Sequence, residues 1–185
     1  MSAEWVTPKA YIYLARMVMG DIDLDPASSE FAQLNVGART YYTPERDGLS
    51  QPWFGRVWLS PPNGRRGAPD FTGKLIDEFC SGRVEEAIVL TPNATDTVWH
   101  HRLAGLRHPA CFKRGRVRFE SPDRASSMPA NGQTFFYLGE RQQRFKEVFS
   151  QIGHVWRAVT DAKTMAEICE ADRRAAQIGR AARAA

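Results

Sequence analysis

The tetrad Ser60-Pro61-Pro62-Asn63 ends an apolar, β-prone run and opens a loop of glycine and arginine. Consecutive prolines fix φ and present carbonyls without competing N–H groups, so they form a rigid edge of hydrogen-bond acceptors. Ser60 adds a hydroxyl on one side of that edge and Asn63 an amide on the other. Such an edge suits a group with hydrogens to donate. A second polar set surrounds the first 50 residues. Asp23 and Asp25 alternate with Ile22 and Leu24 ahead of Pro26-Ala27-Ser28, Trp5-Val6-Thr7-Pro8 leads into a helix, and Asp47-Gly48 reads as a turn. A third set is basic: Arg65 and Arg66 follow the tetrad directly, and Lys113, Arg114, Arg116 and Arg118 share one short segment.

The elements that must carry these residues follow from periodicity and punctuation. Thr7 is expected to cap a first helix, with Pro8 in its first turn and Gly20 at its end. Tyr11, Leu14, Ala15 and Val18 recur at helical spacing and face the core. Strands are expected at 22–25, 38–42 and 55–60, and a helix over 70–81. The continuous apolar run 85–92 reads as a central strand covered on both faces. A helix capped by Thr95 follows, then strands at 110–113, 115–121 and 134–139, a helix over 142–153 and a last strand at 154–159. Residues 121–133 form a long surface loop, of the kind that is often functional. Residues 1–160 make a single domain, and 161–185 a basic C-terminal helix that frays beyond Gly179.

This alternation, followed by clustered strands, predicts an α/β fold with a mostly parallel central sheet and a C-terminal antiparallel part. Ligands in such sheets bind beyond the carboxyl ends of the strands. Asp25-Pro26 and Ser60-Pro61-Pro62 therefore fall at one edge, where a single pocket can serve both.

The composition agrees with one globular domain. The 185 residues are 43% hydrophobic and 25% charged, with a net charge of +4. No apolar run approaches the roughly 20 residues that span a bilayer, and the first residues lack the pattern of a signal peptide. Cys80, Cys111 and Cys169 are widely spaced and have no nearby histidines, so neither a disulfide nor a metal framework is expected, and the setting is a reducing cytoplasm. His100 and His101 are adjacent on a helix and point in different directions, which rules out a shared metal.

Several blocks, in order, resemble the phage-type DNA N6-adenine methyltransferase (Dam) family. They are EWVTP (4–8), IDLDPAS (22–28), YYTPERDGLSQPWFGRVWLSPPNG (41–64), AIVLTPNATDTVWHH (87–101), GRVRF (115–119) and TFFYLG (134–139). The resemblance implies a Rossmann-like methyltransferase fold, S-adenosylmethionine as methyl donor and adenine in DNA as acceptor, with a role in phage or prophage DNA modification. It assigns the donor to Trp5, Thr7, Pro8, Asp23, Asp25, Pro26, Ala27, Ser28, Asp47 and Gly48. Among these, Thr7 and nearby backbone N–H groups face the donor's carboxylate, Asp25 its cationic groups and Asp47 its adenine amino group. Ser60, Pro61, Pro62 and Asn63 fall at the acceptor site. There a side-chain acceptor and a proline carbonyl bind the amine's two hydrogens and favour its pyramidal form. Arg65, Arg66, Lys113, Arg114, Arg116 and Arg118 are placed to meet phosphates.

The chain leaves the family pattern at two positions of this site. The family carries Asn or Asp where Ser60 stands, and usually Tyr where Asn63 stands. Ser-Pro-Pro-Tyr is familiar among cytosine-N4 methyltransferases, which keeps that reaction as a lesser alternative. Asn63 offers no aromatic face to a base taken out of its stack, and Trp53, Phe54, Phe71 and Trp99 are the sequence candidates to supply one. A methyltransferase-fold protein that binds donor or DNA without catalysis is the other alternative.

Overall fold

A computed structural model describes residues 5–64, 67–122 and 129–159. Arg65, Arg66, residues 123–128 of the expected surface loop and the expected C-terminal helix lie outside the described residues.

The elements run α1 (Lys9–Met19), β1 (Leu24–Asp25), α2 (Glu30–Val36), β2 (Thr40–Tyr41), a short 3-10 turn (Pro44–Arg46), β3 (Gly55–Leu59), α3 (Gly67–Cys80), β4 (Val84–Pro92), α4 (Val98–Gly105), β5 (Ala110–Lys113), β6 (Gln133–Leu138), α5 (Gln142–Phe149) and β7 (Gly153–Trp156). The strands form one sheet in the order β2-β1-β3-β4-β6-β5-β7. β1 to β4 are mutually parallel, and β6, β5 and β7 add by antiparallel pairing. The mixed α/β sheet, parallel first and antiparallel later, is the arrangement the sequence pattern predicts.

Side-chain alternation on the strands builds two cores. Trp58, Ile88, Leu90, Phe135 and Tyr137 face one way, against Ile12, Ala15, Val18 and Met19 of α1 and Phe145, Val148 and Phe149 of α5. Val57, Leu59, Ala87, Val89, Phe136 and Leu138 face the other way, against Phe71, Leu75 and Ile76 of α3 and Leu103 of α4. β4 is consequently buried on both faces, which is why its sequence is a continuous apolar run.

Four local expectations change. α1 begins after Pro8, and Thr7 makes no capping bond. Thr7 is instead buried beside α2, its carbonyl accepting from Asn35 Nδ2 at 3.1 Å. The helix after β4 starts at Val98 behind Thr97, two residues later than Thr95 would place it. The expected strand at 115–121 is irregular chain up to Arg118, followed by an isolated antiparallel bridge, Val6 to Glu120. Its partner is the N-terminal segment rather than the sheet, so no ladder can propagate. α2 was missed because seven residues carry too little periodicity; the signals were Ser29, whose Oγ accepts from Ala32 N at 3.0 Å, and Gly37 closing the helix at φ 55°.

Candidate active site

β1 pairs with β2 on one side and β3 on the other, so the chain reverses its direction of travel across the sheet there. Loops leaving the two neighbouring strands diverge at such a point and leave a crevice at the carboxyl edge. A cavity of about 1050 Å³ lies at this edge. One wall is the segment from Ala27 to Ala32, between β1 and the first turn of α2, continued by Thr43, Pro44 and Glu45 beyond β2. The facing wall is Ser60-Pro61-Pro62-Asn63 beyond β3 with Leu90, Thr91 and Pro92 at the end of β4. Trp5, Val6, Phe119, Gln133 and the stretch Pro129 to Asn131 close the remaining side.

The tetrad is held from behind. Leu59 is fully buried, and the chain then rises to a half-buried Ser60 and Pro61 and an exposed Pro62 and Asn63. α3 opens on Gly67, where a Cβ would stand 1.8 Å from the Pro62 carbonyl oxygen. Only glycine permits that approach, and Gly67 N also donates to the Gly64 carbonyl at 3.2 Å. The start of α3 thus fixes where the proline edge lies.

The opposite wall is shaped by Asp25, which is 2% exposed and lies under the loop instead of in the cavity. Its Oδ1 accepts from Ala27 N at 3.3 Å and its Oδ2 from Gln33 Nε2 at 3.1 Å. Gln33 Nε2 also reaches Ser28 Oγ at 2.6 Å, while its Oε1 accepts from Ala38 N at 2.8 Å, so the amide cannot turn over. Burial pushes the Asp25 carboxyl up to about 6, against the lowering pull of Ser28, Ala27 and Gln33.

The folded state therefore holds the Asp25 proton more tightly than the unfolded chain, whose carboxyl titrates near 3.8. Its contribution to stability is fully present below pH 4 and is lost as pH rises to about 6. Relative to Asp25→Asn, the native chain is expected to lose roughly 3 kcal/mol across that window. Urea melts of both proteins from pH 4 to 7 check this; a stability difference that stays flat with pH would refute it.

Trp5, Ala27, Ser28 and the tetrad come together in the cavity. The other expected donor residues do not line it. Thr7 is buried, its hydroxyl without a partner among the described residues. Pro8 caps α1, and Pro26 lies against Gly48, where a Cβ would stand 1.9 Å from the Pro26 carbonyl oxygen. Gly48 is thus a packing point that sets the height of the loop. Asp47 occupies the turn itself at φ 42°, with Oδ1 accepting from Leu49 N at 3.3 Å. Asp23 is turned to Arg56, which reaches it through Nε at 2.8 Å and a second guanidinium nitrogen at 3.0 Å. These bonds hold the Asp23 carboxyl below its usual range, and they lie outside the cavity.

Two acids that the sequence reading passed over do line the cavity. Glu30, in the first turn of α2, accepts from the Tyr41 hydroxyl at 2.7 Å. Glu45 follows β2 and is held below the usual carboxyl range by a hydrogen bond from the Thr43 side chain. Their signal was positional: each stands just beyond a strand at the carboxyl edge. The four aromatic candidates are corrected as well. Trp53 and Phe71 pack together in the core with centroids 6.0 Å apart, and neither Phe54 nor Trp99 lines the cavity. The rings that do are Trp5, Phe31 and Phe119.

The basic segment borders the same opening. Arg114, Arg116 and Arg118 are exposed on either side of the buried Val117, and an Arg116 guanidinium nitrogen donates to the Pro129 carbonyl at 3.2 Å. Lys113 is turned back, its ammonium 2.8 Å from the Arg114 carbonyl and 5.7 Å from the Tyr11 ring centroid. Among the described residues, no helix is long and apolar enough to cross a membrane and no group of His, Cys, Asp and Glu could hold a metal ion.

A cavity at the switch point of a mixed α/β sheet, walled by a strand-ending proline edge, stands where proteins of this class bind their ligands. The family model described as DNA N-6-adenine-methyltransferase (Dam) matches residues 2–166, and the chain belongs to that family. No curated protein and no solved structure matches it.

Proposed function

We propose that this protein is an S-adenosylmethionine-dependent methyltransferase of Rossmann-like fold that acts on the N6 amine of adenine in DNA. The observation that carries the reading is the cavity, in which the proline edge faces the loop after β1 across one continuous space. Its volume is just above the ~300–1,000 Å³ typical of ligand clefts, enough for a nucleoside-sized donor beside an extruded base.

The wall after β1 and β2 fits the donor. Glu30 and Glu45 bring carboxylates suited to ribose hydroxyls and cationic groups, and Phe31, Ala32 and Pro44 supply apolar surface for an adenine ring. When bound, the donor supplies an electrophilic methyl group. The chain's own residues then act on the acceptor. The Ser60 hydroxyl and the Pro61 carbonyl accept the two amine hydrogens, which draws the nitrogen toward pyramidal geometry and frees its lone pair. Gly67 and α3 keep that edge from retreating. Arg116 and Arg118 contact backbone phosphates, which positions the strand without reading its sequence.

Transfer of labelled methyl groups to DNA, followed by nucleoside analysis, tests the reading. N6-methyladenine is the expected product. N4-methylcytosine would replace the acceptor, and absence of product with intact donor binding would leave a binding protein. Ser60→Ala removes one of the two acceptors and is expected to lower turnover by about tenfold or more, with donor affinity unchanged. Wild-type turnover in that variant would remove Ser60 from the site.

A further inference from the structure

Asn63 brings no ring to the tetrad, yet a base held outside its duplex stack needs an apolar plane to lie on. Three rings line the cavity, and they differ in what surrounds them. Phe31 stands next to Glu30, on the wall that Glu45 extends. Phosphates are repelled there, so a nucleotide attached to its strand does not enter by that side. Trp5 lies on the N-terminal segment, one residue before the bridge to Glu120. Phe119 immediately precedes Glu120 of that bridge and directly follows Arg118, within the segment that carries the exposed arginines.

Phe119 is also held through its backbone neighbours. The next residue, Glu120, exchanges two backbone bonds with Val6, at 2.8 and 2.9 Å. Two residues earlier, Val117 N donates to the buried Gln133 side chain at 2.9 Å. Arg116 is tied to the cavity wall at Pro129. A ring fixed at both flanks and partly buried against the core, with Arg118 on one side and on the other Glu120, whose carboxylate accepts from Asn35 Nδ2 at 2.9 Å, can accept a base whose phosphate remains outside.

We propose that Phe119 is the aromatic platform for the acceptor base, a base-positioning residue that takes the stacking role Asn63 cannot fill. The proposal rests on the reading of the cavity as a nucleotide-acceptor site. It assigns the acceptor to the side of Phe119, Gln133 and the tetrad, and leaves Phe31 to the donor.

The test uses binding, so it does not depend on turnover. A single-stranded oligonucleotide of abasic nucleotides with one central 2-aminopurine is compared with the all-abasic strand by anisotropy, on the full chain. Stacking on one ring is worth roughly 1–3 kcal/mol, so the native protein is expected to prefer the base-containing strand by about 5- to 150-fold. Phe119→Leu keeps apolar bulk without the ring, and its preference should fall to near unity, while Phe119→Trp should retain it. Phe31→Leu should leave the ratio unchanged. A Phe119→Leu ratio equal to the native one, or a native ratio near unity, overturns the proposal. Failure of methyl transfer with the ratio behaving as stated would instead count against the catalytic reading alone.

Discussion

Gly67→Ala is expected to abolish most methyl transfer while leaving donor binding in place. The added Cβ would stand 1.8 Å from the Pro62 carbonyl oxygen, and both atoms belong to backbone or near-backbone positions that have no rotamer by which to yield. Either the first turn of α3 or the proline edge must move. Overpacking of this kind costs about 1–3 kcal/mol of stability, which a domain of this size can absorb. The reaction is less tolerant, because a displacement of about 1 Å at a positioning group lowers rate by roughly a hundredfold. The residues after β1 and β2 that are proposed to face the donor are carried by other elements, so the thermal shift on adding S-adenosylmethionine should persist. Measuring labelled-methyl turnover beside that shift decides the matter: native turnover in Gly67→Ala would show that the proline edge does not set the acceptor's position.

Trp53→Ala should produce the largest loss of stability. Trp53 is 1% exposed and sits against Phe71 and under the Lys74 ammonium, 5.7 Å from its ring centroid. Its indole N–H donates to the Gly48 carbonyl at 2.7 Å. Removing so large a buried ring costs about 3–5 kcal/mol, and the Gly48 carbonyl loses its partner as well. Gly48 in turn backs the Pro26 carbonyl, so the same change loosens the loop that walls the cavity after β1. Trp53→Phe keeps most of the packing and drops only the N–H, so about 1–2 kcal/mol is expected. Urea denaturation of the three proteins ranks them. A Trp53→Ala protein within 1 kcal/mol of native would mean that the turn is anchored elsewhere.

Both effects run through glycines whose role is invisible without the fold. Gly48 in a turn dipeptide and Gly67 after a glycine–arginine loop read as ordinary chain breaks. Each proves to be a place where two backbones approach closely. Asp23 and Asp25 show the same limit on polar residues. They are two positions apart and look equivalent in sequence, but Asp23 is neutralised by Arg56 from β3 and Asp25 is buried under its own loop. The partner of Asp23 is not local, since Arg56 is 33 residues away along the chain.

Legibility was greatest where the signal is local and dense. The apolar run of β4, the exact extent of β5 and the periodicity of α3 and α5 are properties of a few consecutive residues, and burial follows from them. The proline tetrad was legible for the same reason: two fixed φ angles end a strand wherever they occur. Order along the chain also placed the ends of β1 and β3 at one edge, because parallel strands joined by helices must start and finish together. The family followed from these blocks in sequence.

Tertiary structure alone decided which side chains share the cavity. Strand order brought Glu30, Glu45 and Phe119 to it and left Asp23, Asp47, Trp53 and Phe71 outside it. The bridge between Val6 and Glu120 joins segments more than a hundred residues apart, and no pattern in either segment announces the other. A residue's type sets what chemistry it can do; the packing of distant elements sets what it can reach.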